Sequence, residues 1–333
     1  MPPPTPLSPP ELSYLYTSLS LTPPIRLDLR QPSQFRPIIA ECSFLPHCNG
    51  SSRICMTEAG ECIVGIKAEV EKDATTKYAT VIEREKWIEV SVEVAGGGVA
   101  GAGSGSGGGG GGVGIGGISG AGGATGRDEG DGGAAVWLKE GLLAGGGGAG
   151  AGWSILDRLV ISSGWHWKLY IDVLLLTPTS HPSPLLLSTA VNMALSSTYL
   201  PKLTSPHDID DIPTFSDDWA ISTPLYEPTS FPKPPISLPV VAVGDNVFLD
   251  PSVAEVAAAE AGLVITLSLV DEEGSCDVVG VRSMEVGRAG GKEGERKGIG
   301  RKLLREMVGA CVKEAGEVIK GLGETTQKQM FRA

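Results

Sequence analysis

The sequence predicts an α+β protein in which strands followed by a helix occur twice. In the first half, strand-like segments up to residue 94 and at 168–176 precede an apolar helical stripe at 187–195. In the second half, strand-like segments between 239 and 283 precede a long amphipathic helical pattern at 299–322. Because such runs of strands and helices are typical of α+β folds, we expect an internal duplication of a sheet-plus-helix unit.

The N-terminal segment predicts a short helix over about 9–20. Ser8-Pro9-Pro10-Glu11 has the capping-box pattern with proline at the first helical position, and apolar residues follow at helical spacing. A helix of this length is marginal on its own, so we expect it to pack against the rest of the protein.

Strands and turns are predicted next. Asn49-Gly50 is a dipeptide typical of tight hairpin turns, and strand-like segments flank it at 51–56 and 61–70. A second turn is predicted at 58–60. Residues 87–94 alternate between apolar and polar, which predicts a strand buried on one face.

Residues 96–152 form a glycine-rich insert. The segment offers little apolar area to offset the entropy of ordering its backbone, so we expect it to be mostly disordered. A helix-forming island at Ala134–Leu143 predicts one docked helix within it. Residues 112–117 satisfy the GxGxxG pattern, but no strand leads into them and a tract this rich in glycine produces the match by composition.

The centre of the chain predicts a strand, a loop and a packed helix. The apolar run 168–176 predicts a strand buried on both faces. Ser183 and Pro184 then suit the cap and first position of a helix, whose apolar stripe runs from Leu187 to Leu195. The loop at 177–184 lies where a substrate would meet such a unit.

The second half begins after an acidic, proline-rich linker at 202–235. Its aspartates offer a candidate cation site, but their spacing fits no calcium loop and a solvated linker is favoured: Asp208, Asp210, Asp211, Asp217 and Asp218. A hairpin is predicted at 239–249 with Gly244-Asp245 at its tip, followed by strands at 261–269 and 276–283.

Basic side chains lie outside the apolar stripe of the predicted C-terminal helix. They are candidates for contact with RNA, although a solvated helix face is the more common explanation for such residues: Arg301, Lys302, Arg305, Lys313 and Lys320.

Composition excludes several classes of protein. The formal net charge of −12 argues against a stand-alone nucleic-acid binder, because phosphate contacts require lysine and arginine. Six cysteines without a CxxC pair, and only four histidines, argue against a zinc site and favour reduced thiols in an intracellular protein. The N-terminus lacks the features of a signal peptide, and no apolar run reaches the ~20 residues of a membrane span.

Several segments together resemble the RNase PH family, and within it the ring subunits of the eukaryotic exosome. The similarity covers most of the chain outside 96–152. The matching segments are Tyr14–Tyr16, Ile25–Arg30, Phe35–Ile38, Asn49–Ile54, Glu61–Glu69, Tyr170–Leu174, Asn192–Leu203 and Val247–Pro251 with Glu255. The chain departs from the broad family at Leu27 and Leu29, where the family has proline and glycine.

The resemblance implies a duplicated fold like the second domain of ribosomal protein S5. It implies a hexameric ring with other RNase PH-like subunits, S1/KH cap subunits and a catalytic exonuclease subunit, through which RNA is threaded for processing and degradation. The implied locations are nucleus, nucleolus and cytoplasm. The implied domain boundaries separate an N-terminal helix and proline-rich segment (1–24), a first RNase PH-like core (25–95 with 153–204), the insert (96–152), a linker (205–237) and a second RNase PH-like core (238–324).

Active members of the family are phosphorolytic 3′→5′ exoribonucleases, and the resemblance identifies the positions that their chemistry requires. An arginine that holds phosphate stands nine residues after the aspartate that corresponds to Asp172, and here that position is His181. Histidine is at most partly charged near pH 7 and lacks a bidentate fork. Of the carboxylate pair, Asp250 matches the first member, but Val256 occupies the second and can neither bind metal nor transfer a proton.

We therefore expect a non-catalytic scaffold with no catalytic residue, metal or cofactor, in which Asp250 and Glu255 are structural turn residues. Its RNA-contacting residues are not identified by the sequence. One alternative is a phosphorolytic exoribonuclease with a rearranged site or a site shared with a neighbour. Another is a small-molecule kinase on a related fold, which requires a phosphate loop outside the low-complexity segment.

Overall fold

The computed structural model describes ten segments of the chain. They are residues 7–72, 84–95, 133–144, 155–162, 164–177, 182–204, 212–227, 229–284, 286–287 and 298–330. Most of the glycine-rich insert and the loop residues 178–181 lie outside the described residues, and so do Asp208, Asp210 and Asp211.

The first sheet has its strands in the spatial order β1-β2-β3-β6-β4, with β5 paired to β6. The strands are β1 (Ile38–Cys42), β2 (Gly50–Met56), β3 (Gly60–Lys72), β4 (Ile88–Val94), β5 (Val160–Ser162) and β6 (Trp165–Leu175). Strand β6 is central, antiparallel to β3 and parallel to β4. Its side chains alternate between buried and more exposed, so the prediction that it is buried on both faces is wrong.

The second sheet has the order β10-β9-β11-β12, and a small separate pair is formed by β7 and β8. The strands are β7 (Tyr199–Leu200), β8 (Thr223–Pro224), β9 (Ile236–Val243), β10 (Asn246–Leu249), β11 (Ala261–Leu269) and β12 (Cys276–Ser283). Every residue of β9 and β11 is buried. The predicted hairpin with Gly244-Asp245 at its tip is confirmed, because Val243 pairs with Asn246.

Six α-helices occur among the described residues. They are α1 (Pro9–Ser20), α2 (Gly133–Ala144), α3 (Ile155–Arg158), α4 (Pro184–Ser196), α5 (Val253–Ala258) and α6 (Arg301–Met330), with short 3₁₀ turns at Glu85–Trp87 and Trp219–Ile221. The helices predicted at the N-terminus, within the insert, after the central strand and at the C-terminus are all present. None of the helices in this described part is both long and apolar enough to cross a membrane.

Helices α4 and α6 lie between the two sheets. Helix α4 contacts β2 and β3 on one side and β9 on the other, while α6 contacts β9, β11 and the edge strand β1. Twelve of the thirteen residues of α4 are therefore buried, rather than one stripe of them. The side chain of Gln329 on α6 donates to the carbonyl of Ala40 and accepts from the N–H of Cys42, at 2.7 Å each, so it pairs with β1 as a further strand would.

The outer face of the second sheet is covered by α1 and α5. Leu15 and Leu19 of α1 pack with Val241, Val243 and Phe248 in a second, smaller apolar cluster. At the start of α1, both the backbone N–H and the hydroxyl of Ser8 donate to the Glu11 carboxylate at 2.7 Å, which realises the predicted cap. The N-terminal helix is thus anchored on the second half of the chain.

The prediction of a hairpin turn at Asn49-Gly50 is wrong. Gly50 is the first residue of β2, and residues 43–49 connect β1 to it. The Asn49 amide instead joins two segments, donating to Tyr199 O at 3.1 Å and accepting from Ala68 N at 2.9 Å. Glycine is required at position 50 because a Cβ there would lie 2.2 Å from the Thr198 hydroxyl. The dipeptide therefore serves close packing against the end of α4.

Candidate functional site

The candidate site is the acidic turn between β10 and α5, which carries Asp250, Glu255 and Val256, the positions that the family resemblance singled out in the sequence. Asp250 follows β10 with φ of 46°, in the left-handed region that aspartate tolerates better than most residues. Ser252 then caps α5: its N–H donates to the Glu255 carboxylate at 2.8 Å, and its hydroxyl accepts from Glu255 N at 3.3 Å. The capping box fixes Glu255 in the first turn of the helix.

The segment 25–36 crosses this turn and brings three arginines to it. Arg26 is buried, and its Nε and Nη2 donate to the two oxygens of Glu255 at 2.7 Å each. The same guanidinium donates to the carbonyls of Leu249 and Gln31 at 3.2 Å and of Asp250 at 3.0 Å. This bidentate pair therefore ties the N-terminal segment to the second sheet.

Asp250 is enclosed in the same way. Its side chain is 0% exposed. It accepts from the backbone N–H and the Nε of Arg36 at 2.9 Å each, from Arg36 Nη2, and from Arg30 Nη1 at 3.2 Å. Arg30 also contacts Asp28 through Nε. Three guanidiniums thus face the carboxylates of Asp28, Asp250 and Glu255, and the charges of this arginine–carboxylate cluster balance.

Two shifts in pKa reflect this arrangement. Burial acts to lower the pKa of Arg36, but the hydrogen bonds and charge of Asp250 outweigh it and raise that pKa above its usual value. Burial acts to raise the pKa of Asp28, but hydrogen bonds from Arg30 and the charges of Arg30 and Arg26 hold it below its usual value. Both groups therefore remain charged near neutral pH.

Val256 lies in a different environment from Asp250 and Glu255. It packs with the apolar cluster between α1, α5 and the outer face of the second sheet, together with Ala254 and Met284. A carboxylate at this position would enter that cluster. Nowhere in the described segments do three histidine, cysteine, aspartate or glutamate side chains lie together as metal ligands would.

No protein-family model matches the chain. Over 265 residues the chain is 34% identical to exosome complex component RRP42 of Saccharomyces cerevisiae, covering 79% of this chain and 82% of that protein. The chain belongs to the RRP42 family of exosome complex components. Schizosaccharomyces pombe rrp42 is 42% identical over 81 residues, which cover 23% of this chain and 27% of that protein.

Solved structures confirm the fold. An archaeal exosome core chain superposes with a TM-score of 0.54 at 18% identity, covering 93% of this chain and 96% of the other. A chain of the Archaeoglobus fulgidus exosome with RNA bound to the active site gives 0.53 at 14% identity, covering 92% and 96%. The predicted α+β class and RNase PH fold are therefore confirmed, whereas the domain boundaries stay predictions.

The other residues singled out in the sequence lie away from the acidic turn or outside the described residues. His181 lies outside the described residues. Asp172 is exposed on β6, where it accepts a hydrogen bond from Ser91 Oγ at 2.6 Å. On α6, Arg301, Lys302 and Arg305 are exposed, and Lys302 lies 3.8 Å from Glu306, as on a solvated helix face. Sequence reasoning matched Arg26, Arg30 and Arg36 to the family but missed their partners, because nothing local links them to a turn over 200 residues away.

Proposed function

We propose that this chain is a non-catalytic subunit of an exosome ring, and that it supports 3′→5′ RNA processing and degradation by its place in the assembly. The observation that carries the proposal is the enclosure of Asp250. Its carboxylate is buried, and four donors from Arg30 and Arg36 occupy its oxygens. It serves to hold the N-terminal segment against the second sheet.

Phosphorolysis would require a different site. A divalent ion needs carboxylate oxygens with open coordination positions, and proton transfer needs a group that reaches the reacting atoms. Arg36 would have to leave Asp250 before an ion could bind, which would strand a buried guanidinium. Val256 adds hydrocarbon where a second carboxylate would stand. The alternative of an exoribonuclease with a rearranged or shared site is therefore not favoured.

The partners follow from the family. The matched relatives are named as exosome complex components, and the similar archaeal chains come from exosome cores. We propose that the chain occupies a six-membered ring with other RNase PH-like subunits, bound by S1/KH caps and a catalytic exonuclease, in nucleus, nucleolus and cytoplasm. A net charge of −12 is compatible with such a role, because partner subunits would supply the cationic surface that grips RNA.

The proposal is tested by incubating labelled single-stranded RNA with phosphate, Mg²⁺ and the purified chain, alone and co-expressed with RNase PH-like partners. We expect no release of nucleoside diphosphate by the chain alone, and stoichiometric co-purification with those partners. His181→Arg with Val256→Asp is also expected to be inactive, because Asp250 would still be held by arginine.

Two results would contradict the proposal. One is phosphate-dependent release by the wild-type chain that a mock purification lacks and that Asp250→Asn abolishes while the variant still folds. The other is a stable monomer that binds none of the ring subunits. The first result would favour the exoribonuclease alternative, and the second would refute the proposed place in a ring.

A further inference from the structure

Strand β12 forms one edge of the second sheet. It pairs with β11, and no strand in the described segments pairs with its other side. In an antiparallel ladder about half of a strand's N–H and C=O groups point away from its partner, so β12 presents a row of donors and acceptors that no described strand occupies. Such a row is complementary to the backbone of another extended segment.

The other edges of the two large sheets are occupied or charged. Gln329 of α6 hydrogen-bonds to β1, and Leu249 N at the end of β10 donates to Pro32 O at 2.9 Å. Strand β4 carries Glu89 and Glu93, both exposed, and charged side chains discourage pairing at a strand edge. Strand β12 contains no lysine or proline and presents valines instead.

Two valines of β12 lie on the same face of the sheet although they are three positions apart. The β11 partner of Val278 is Leu267. The partner of Val281 is Ile265, and Val279 is the extra residue of a β-bulge between the two pairs. Because both β11 partners belong to the main core, the valines extend that core beyond the sheet edge, where they are 40% and 50% exposed.

Helix α6 widens this apolar surface. It contacts β12, and its Gly316 lies against the turn before that strand, where a Cβ would be 2.5 Å from Gly274 O. Leu304, Val308 and Val312 precede Gly316 at intervals of four residues, so they occupy the same side of the helix. The leucine is 38% exposed and the two valines are half-buried. The edge of β12 is therefore bordered by apolar side chains of the helix.

The charges at the two ends of β12 are opposite. Asp277 is exposed near its start, and Arg282 lies near its end, where it also contacts Glu140 of α2. An antiparallel strand with the same order of charges would place its basic end beside Asp277 and its acidic end beside Arg282. The edge is thus complementary to a strand like itself, as in a two-fold interface that uses the same patch of both partners.

We propose that β12 pairs in antiparallel orientation with the corresponding edge strand of a neighbouring RNase PH-like subunit, so that the two sheets become continuous across the interface. Val278, Val281 and Leu304 pack against apolar side chains of that neighbour. The inference rests on the proposed place in a ring, because a neighbour with the same fold presents an edge strand at the same position. The paired backbones supply affinity, and the side chains supply the choice among neighbours.

The first test compares complexes formed by the full chain when it is co-expressed with RNase PH-like partners. Val278→Lys with Val281→Lys adds the charge that natural edge strands use against pairing, at two positions exposed enough for the chain to fold. We expect recovery of the stoichiometric complex to fall at least about tenfold relative to the wild type. The control Val160→Lys changes a valine on β5 that is 41% exposed, and it should leave recovery unchanged.

Hydrogen exchange gives a second readout that does not require a variant to fold. Amides in the peptide 276–283 should exchange at least about tenfold more slowly in the wild-type complex than in the free chain, because the partner strand would bind those that face away from β11. A folded double-lysine variant that forms the complex as well as the wild type, or unchanged exchange at 276–283, would overturn the pairing and leave the ring assignment intact. A wild-type chain that binds none of the partners would overturn both.

Discussion

Replacing Arg26 with methionine should destabilise the protein more than almost any other single change to a charged residue. The side chain is buried, donates to both oxygens of Glu255 and satisfies three backbone carbonyls. Methionine retains the hydrocarbon that packs near Phe248, whose ring centre lies 5.7 Å from the guanidinium carbon. The substitution therefore removes the charge and its hydrogen bonds while it keeps the hydrocarbon packing.

The expected loss of stability follows from the Glu255 side chain, which remains buried in the variant. Glu255 is 1% exposed, so its carboxyl group would be left buried without the cation that now faces it. Breaking one partner of a buried pair costs about 3–5 kcal/mol. At about 2–4 °C for each kcal/mol in a protein of this size, the melting temperature should fall by roughly 6–20 °C.

A double-mutant cycle with Glu255→Gln identifies the pair as the cause. Glutamine keeps the length of the side chain and an oxygen for the Ser252 N–H. Urea unfolding followed by tryptophan fluorescence should show that the double variant is less destabilised than the sum of the singles, by about 1–3 kcal/mol. Arg53→Met breaks an exposed pair with Glu61 and should cause no measurable shift. Additive single effects, or Arg26→Met unfolding like Arg53→Met, would refute the reasoning.

Three further experiments test the backbone and the thiols. Leu29→Gly should stabilise by about 0.5–1 kcal/mol, because Leu29 has φ of 59° and is 80% exposed, whereas Leu27→Gly in the same turn should not stabilise. Gly50→Ala should cost about 1–3 kcal/mol because its Cβ would overlap α4, whereas Gly309→Ala, with open space around it, should stabilise; urea midpoints compare both pairs. Burial raises the pKa values of Cys62 and Cys311 to about 12, so at pH 8 both thiols stay protonated; alkylation followed by mass spectrometry should label these two last, and early labelling of Cys311 in the folded state would show that its helix opens.

Local patterns predicted the elements whose causes are local. The cap at Ser8, the turn at Gly244-Asp245 and the amphipathic spacing before Leu322 all depend on residues within a few positions of each other, and the structure contains each of them. Asn49-Gly50 shows where this reasoning fails. The same dipeptide that favours a turn also suits a close approach of two elements, and only the position of α4 distinguishes the two uses.

Burial on both faces of a strand was also misassigned for a physical reason. The run in β6 contains Lys168 and Asp172, whereas β9 has no charged residue, and β6 has helices on one face whereas β9 lies between α4 and α1. Composition cannot reveal which layers cover a strand. At the acidic turn, the sequence identified Asp250 and Val256 by family resemblance, but the arginines that enclose Asp250 depend on tertiary contacts.

The arginine–carboxylate cluster also sets the order in which a nascent chain can finish folding. Arg26 is separated from Glu255 by 229 positions, and Cys42 of the edge strand β1 is separated from Gln329 by 287. At about 5–20 residues per second, Arg26 would wait on the order of 10–45 s on the ribosome for its partner. A chain interrupted before α5 would carry an uncompensated guanidinium and an unpaired strand edge, which are features that mark it for chaperones and proteases before it can be incorporated into a complex.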